Sequence, residues 1–164
     1  MNRVAIIRWG AVLVVWIAGC HAGASPSPPA PPLGAASASG TGNEEVRAVA
    51  SLVNQRRSSI GCRALIWDER LARVARRHSE AMAKQGFFSH VDRNGNDPFD
   101  RMHAAGISFR AAAENIAEGQ VSGREVYDGW VRSPGHRANL QNCGYTHHGI
   151  GLYRNRWTHV FARF

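Results

Sequence analysis

The sequence predicts an α+β fold, a sheet carrying helices on its faces. Three observations point there. Apolar residues recur at helical spacing through much of the chain from Val46 onward. One short segment, Ala112 to Glu118, alternates with a period of two. Two further strand-like runs close the chain as a hairpin, and helices mixed with late strands need a common sheet to pack on. A length of 164 residues suits one domain plus extras.

The extras come first. Arg3 and Arg8 precede an apolar run, Trp9 to Ile17, that is too short for a comfortable membrane span and reads as a signal peptide over residues 1–19. It ends in Ile17-Ala18-Gly19-Cys20, which resembles a bacterial lipobox, with Cys20 as the lipidated residue of an anchored lipoprotein. Ordinary cleavage after Ala22-Gly23-Ala24 is the alternative. Residues 20–42 are almost wholly Ala, Pro, Ser and Gly and read as a tether with nothing to bury. The folded domain is expected over 43–164.

Order is expected from Thr41, where Thr41-x-x-Glu44 forms a capping box, and Val46, Val49, Ala50 and Val53 carry a helix to about Arg57. A second helix has Asp68 as N-cap, Leu71, Ala75, His78 and Met82 on one face, and Gly86 as its stop after Gln85. On that face His78 reads as a core or rim residue rather than a ligand. Asp92-Arg93-Asn94-Gly95-Asn96 approaches a calcium loop, but Asp97 stands where an EF-hand requires glycine. It reads as a polar turn into a short helix from Pro98 to Ala105. Ala112 to Glu118 is expected as a strand, Glu114, Ile116 and Glu118 alternating with Asn115 and Ala117. Its several alanines give it poor strand propensity, and the assignment leans on the resemblance given below. Ser122-x-x-Glu125 is a second capping box, with Val121 and Val126 as its hydrophobic staple, and the helix it opens turns Val126 and Trp130 inward. Gly149 to Tyr153 and Trp157 to Phe164 form the hairpin, and Asn155 is expected to supply the positive φ of its turn.

The most informative stretch is Trp130 to Leu140, W-V-R-S-P-G-H-R-A-N-L. Pro134-Gly135 reads as a fixed corner between two helices, with His136 directed by it. A histidine so held suits a ligand or a general base, while the alternative is that it caps or packs.

Together with Ser89-His90, Ala-Glu-Asn-Ile-Ala at Ala113 to Ala117 and Gly149-Ile150-Gly151, this stretch resembles the CAP superfamily, or SCP domain, in its bacterial form. The resemblance covers about Asn43 to Phe164. It implies a three-layer α-β-α sandwich. In animal and plant members a cleft is lined by two His and two Glu, and His90, Glu114 and His136 match three of these. The second Glu would fall at Ser133, so the tetrad is incomplete here. Ser133 and Asn115 complete the expected cleft lining. Two imidazoles and a carboxylate can hold Zn²⁺ with one position open, which makes zinc the cofactor to test. There is no H-E-x-x-H and no G-x-S-x-G. A Ser133–His136–Glu114 triad can be written, but two of its members flank the corner at Pro134.

With Cys20 assigned to the anchor, Cys62 and Cys143 remain, an even pair in an exported chain, and are expected to be bonded. A zinc pair would want a C-x-x-C spacing that is absent. The net charge of +8 falls to +6 without Arg3 and Arg8, and only Lys84 is lysine. An exported surface of this kind would be drawn to anionic lipid or envelope polymers, a solvated Arg-rich surface being the favoured alternative to a specific anion site. Export and the lack of an aromatic-basic motif argue against nucleic acid. Two functions follow. One is an exported, membrane-tethered, monomeric binding module for a lipid, an envelope fragment or a divalent metal. The other is a metal-assisted hydrolase acting on peptide or envelope polymer.

Overall fold

The structure, a computed structural model, describes residues 38–164. The expected signal segment, Cys20 and the tether up to residue 37 lie outside the described residues. Nine elements follow in order: α1 (Ala38–Ser59), β1 (Ile66–Trp67), α2 (Glu69–Gln85), α3 (Pro98–Ala104), β2 (Ala111–Glu118), α4 (Gly123–Arg132), α5 (Pro134–Gln141), β3 (His147–Tyr153) and β4 (Arg156–Arg163). The strands form one sheet in the order β1-β3-β4-β2; β1 runs parallel to β3, and the other pairs are antiparallel. Helices α1, α4 and α5 pack on one face, and α2 and α3 on the other. This is the α-β-α sandwich.

Both faces of the sheet are covered, and that accounts for the weak alternation of β2. Glu114, Asn115 and Ile116 are consecutive and all buried. Covered on both sides, a strand loses the apolar-polar rhythm of a half-exposed one. Ile150, Trp157 and Phe161 meet Val49, Val53, Val126, Trp130 and Leu140 on the α1 side, while Val160 and Ala162 meet Leu71, Val74, Ala75 and Met102 on the α2 side.

Several local expectations shift. Helix α1 starts at Ala38, so the last residues of the expected tether are helical and Thr41 lies inside the helix. Asp68 does cap α2, its side chain accepting from the amides of Arg70 and Leu71, and Gly86 closes it at φ 62°. Val121 is 78% exposed, so no staple forms. Instead Glu125 reaches back to the amide of Val121 while Ser122 accepts from the amide of Glu125. In the hairpin it is Arg154, not Asn155, that takes a positive φ, 53°. The strand β1 had no periodicity to announce it, being two residues long.

Gly149 and Gly151 have a steric reason. A Cβ on either would overlap the backbone of α2, at Leu71–Ala72 and Ala75–Arg76 respectively. The helix therefore lies directly on β3, and Ser79 joins it there by donating to the carbonyl of Gly151 and accepting from Thr158 Oγ1.

Cys62 and Cys143 form a disulfide with Cα atoms 5.0 Å apart, closing a separation of 81 residues. In the chain-entropy account such a loop restricts the unfolded state by about 4–5 kcal/mol at most. Beside it, the wholly buried Arg57 donates to the carbonyls of Arg63, Leu140, Asn142 and Tyr145. The end of α1 and the loop after α5 are thus joined twice.

Candidate functional site

β2 is an edge strand of the sheet and, among the described residues, pairs with β4 alone. Successive side chains of a strand point to opposite faces. Glu114 and Asn115 therefore serve different layers: Glu114 faces α2 and α3, and Asn115 faces α5.

The Glu114 side chain is 1% exposed, and both its oxygens are occupied. Oε1 meets His90 Nδ1 at 2.8 Å, and Oε2 accepts from Arg101 Nη2 at 2.8 Å. Arg101 stands one turn into α3, whose start is fixed by Pro98 and by a capping box between Asp97 and Asp100. From there its Nη1 donates to the carbonyls of His90 at 2.8 Å and Asn96 at 2.9 Å. The loop bearing His90 is held from the other side by His78, whose Nε2 donates to the carbonyl of Ser89 at 2.9 Å. A carbonyl only accepts, so Nε2 carries the proton. Burial lowers the His78 pKa; the charge of Glu114 opposes this, and those of Arg101 and His90 reinforce it.

On the other face Asn115 is fully buried. Its Nδ2 donates to the carbonyl of His136 at 3.1 Å, and its Oδ1 accepts from Asn139 Nδ2 at 2.8 Å. Trp130 reaches the neighbouring carbonyl of Ile116 at 3.3 Å. Helix α5 is thereby fastened to β2 by its backbone at His136, leaving the half-buried imidazole free of that duty. Burial, and then the charge of His90, lower the His136 pKa, so this ring is neutral at physiological pH. The corner before it differs from the expected one. Ser133 ends α4 and caps α5, Pro134 is the first residue of the new helix, and His136 sits in its first turn. The Gly135 φ is not positive. Proline at a first helical position needs no break beyond the one it makes.

Of the expected site residues, His90 and Glu114 are in direct contact. Asn115 is buried and clamps α5. Ser133 is a hinge between helices and makes no side-chain capping bond. Glu114 is bonded to His90 and Arg101, not to His136, so the Ser133–His136–Glu114 triad is not assembled. Among the described residues no three His, Cys, Asp or Glu side chains gather as a metal-holding group. At Glu114 a cation would have to share the carboxylate with the Arg101 guanidinium.

Arg101 was not among the residues the sequence singled out. It lies outside every quoted motif, and its one signal is its place in a capped helix beside Met102, which is buried. Asn139, the second half of the clamp, is the last residue of the S-P-G-H-R-A-N motif and was legible there as a motif residue without a role.

The sequence profile of the cysteine-rich secretory protein family, CAP, matches residues 50–161, more than half of the chain. The uncharacterized protein YkwD of Bacillus subtilis is 39% identical over 115 residues, 69% of this chain and 45% of that protein. An uncharacterized membrane protein of the same organism, YlbC, is 38% identical over 70% of this chain and 33% of its own length. The chain thus spans less than half the length of these curated relatives. A crystal structure of an extracellular protein containing an SCP domain, from Bacillus anthracis, superposes with a TM-score of 0.73 at 34% identity, covering 74% of this chain and 41% of that one. An outer surface protein from Borrelia burgdorferi gives 0.67 at 23% identity over 73% of this chain and 92% of its own, which speaks for the fold alone.

Proposed function

The chain belongs to the CAP family, the cysteine-rich secretory proteins, and we propose that its domain is an extracytoplasmic binding module whose cleft lies between His90 and His136, not a hydrolase. One observation carries this reading: both oxygens of Glu114 are committed, to an imidazole and to a guanidinium. A general base and a metal ligand both offer the charge of the carboxylate, and here a guanidinium neutralises it and an imidazole shares it, at a side chain 1% exposed. What this arrangement supplies is a rigid wall with a neutral imidazole, His136, at its rim. Phe88 and Val91, both exposed, flank His90 and lend that rim apolar surface, which suits a lipid or an envelope fragment.

Lipidation at Cys20, with the following segment as a tether, would hold the module at a membrane. The extracellular SCP-domain relative and the membrane-protein relative support that setting. The anchor is tested by Cys20→Ser, which should release the protein from membranes or leave it unprocessed. A soluble mature wild type starting after Ala24 would exclude lipidation.

The binding reading is tested by incubating the full chain with casein and with cell-wall material, with and without added zinc, alongside zinc calorimetry. No turnover and no His136-dependent zinc binding are expected. Zinc-stimulated turnover lost in His136→Ala would establish the hydrolase instead, with Glu114 released from Arg101 on metal binding.

A further inference from the structure

The edge of the sheet opposite β2 is covered for only part of its length. β1 pairs with β3 at His147 and His148 and ends at Trp67. The carbonyls of Thr146 and His148 accept from the amides of Ile66 and Asp68, so the main-chain groups of alternate residues here point away from β4. The next in that series are those of Ile150 and Leu152. Arg76 Nη1 reaches the Leu152 carbonyl at 3.0 Å from outside the sheet, as this direction requires. Among the described residues nothing else pairs with Ile150 and Leu152 on that side.

Along this edge runs a cavity of about 280 Å³ that reaches Ile150, Gly151 and Leu152. Its walls come from both helical layers, Val46 from α1 and Ala72, Arg73 and Arg76 from α2, with Trp67 where β1 stops. A groove bounded by both layers has the strand edge, not a face of the sheet, as its floor. The two walls differ in chemistry. On the α1 side stand Val46 and Trp67, whose ring is 40% exposed and meets His148 edge-on at 5.5 Å. On the α2 side Arg73 and Arg76 are both exposed and share one face of the helix. Arg73 has no ion-pair partner among the described residues. The carboxylate of Glu69, also in this wall, is already engaged by Trp67 Nε1 at 3.0 Å.

An open strand edge is a template for another strand, whose side chains alternate between opposite faces. A strand laid beside β3 would turn one set toward Val46 and Trp67 and the other toward Arg73 and Arg76. From this geometry we propose that the groove takes an extended peptide alternating apolar and acidic side chains, added to the sheet in line with β1. Its main chain pairs with Ile150, its apolar side chains rest on Trp67 and Val46, and its carboxylates meet the two guanidiniums. Arg76 keeps the Leu152 carbonyl through one nitrogen and has others to offer. The site lies at the opposite edge of the sheet from the His90–His136 cleft and is independent of it.

The probe is an acetylated, amidated hexapeptide alternating valine and glutamate, titrated into the full chain by calorimetry. It should bind saturably, and a valine–lysine counterpart about tenfold more weakly at equal ionic strength. Only alternate amides of an added strand face its neighbour. N-methylating the valines alone, or the glutamates alone, should therefore give unequal peptides, one binding as the parent does and the other not. The Ile150 amide resonance should move with the parent and not with the inactive methylated form. Arg73→Glu, an exposed change away from the core, should weaken binding severalfold and leave thermal unfolding as it was. The proposal is overturned if the peptide fails to saturate, if the lysine peptide equals it, if the two methylated forms bind alike, or if Arg73→Glu binds as wild type does. Movement of the Ile150 amide with protein concentration alone would give the edge to a second copy. Movement on deleting residues 21–37 would give it to the chain's own preceding segment. Either result also overturns the proposal.

Discussion

Two clusters of histidine and arginine lie on opposite faces of the same sheet. On the α2 side, His90, His78 and Arg101 surround the carboxylate of Glu114. On the α1 side, His148 and His159 meet at 3.1 Å among Trp67, Trp130 and Phe161, and the charge of Arg57 reaches them. The first cluster has an acid at its centre and an open rim. The second is sealed, and Arg57 is satisfied by four carbonyls, with no carboxylate beside it among the described residues. The same residue types thus give an anchor for a cleft in one place and a polar rivet inside a core in the other. What separates them is whether the positive charge finds a partner charge or only dipoles.

The strongest way to break this distinction is Arg57→Ala. It orphans four carbonyls and empties a buried volume, so a loss of about 4–5 kcal/mol is expected by denaturant unfolding. A loss below about 1 kcal/mol, within the range of surface changes, would mean that water serves those carbonyls equally well.

Acid should act next, and on the sealed cluster. Burial, then Arg57 and His147, depress the His148 pKa to about 4 from the ordinary 6.5, and burial drives His159 the same way. The folded state keeps both rings neutral, whereas the unfolded chain protonates them. Their contribution is complete above about pH 6.5 and drains as pH falls toward 4, by of order 3 kcal/mol for His148 alone. Unfolding free energy measured across that window should decline, and His148→Phe should flatten the slope. An unchanged slope would sever the link to this pair.

The open cluster should behave as a charge pair. Glu114→Gln leaves Arg101 without its acid, for an expected loss of about 2–3 kcal/mol. Adding Arg101→Gln should restore part of that, as a double-mutant cycle would read. Failure to recover would place Arg101 with Arg57 as a grip on carbonyls. The smallest effect belongs to His136→Ala, expected to cost under about 1 kcal/mol because its backbone, not its ring, joins α5 to β2. A larger loss in thermal unfolding would return the imidazole to the core.

Much of the fold could be read from local chemistry. Asp68 and Gly86 bound α2 as caps do, and the helical face of Leu71, Ala75, His78 and Met82 is buried as its spacing required. The site was legible only where motifs carried it. Glu114 and His90 were found through a resemblance, and their contact depends on a strand and a loop that no periodicity could align. Arg101 stayed hidden because an arginine near a helix start looks like any solvated charge until a buried acid is placed opposite it. The pair His148 and His159 stayed hidden for the converse reason: each alternates with apolar neighbours in a strand, and only the register brings the rings together. Val121 and Asn155 show the limit of short patterns, since a staple and a turn both depend on where the chain goes next.

The disulfide has a consequence for proteolytic damage. His90, Glu114 and His136 all lie between Cys62 and Cys143 in sequence. A protease that cuts the exposed Arg93–Gly95 turn therefore nicks the chain without dividing it. The two pieces stay covalently joined, one through each cysteine, and sheet pairing on both sides of the cut keeps them in register. Such a nicked domain would run as one band on a gel without reductant and as two with it.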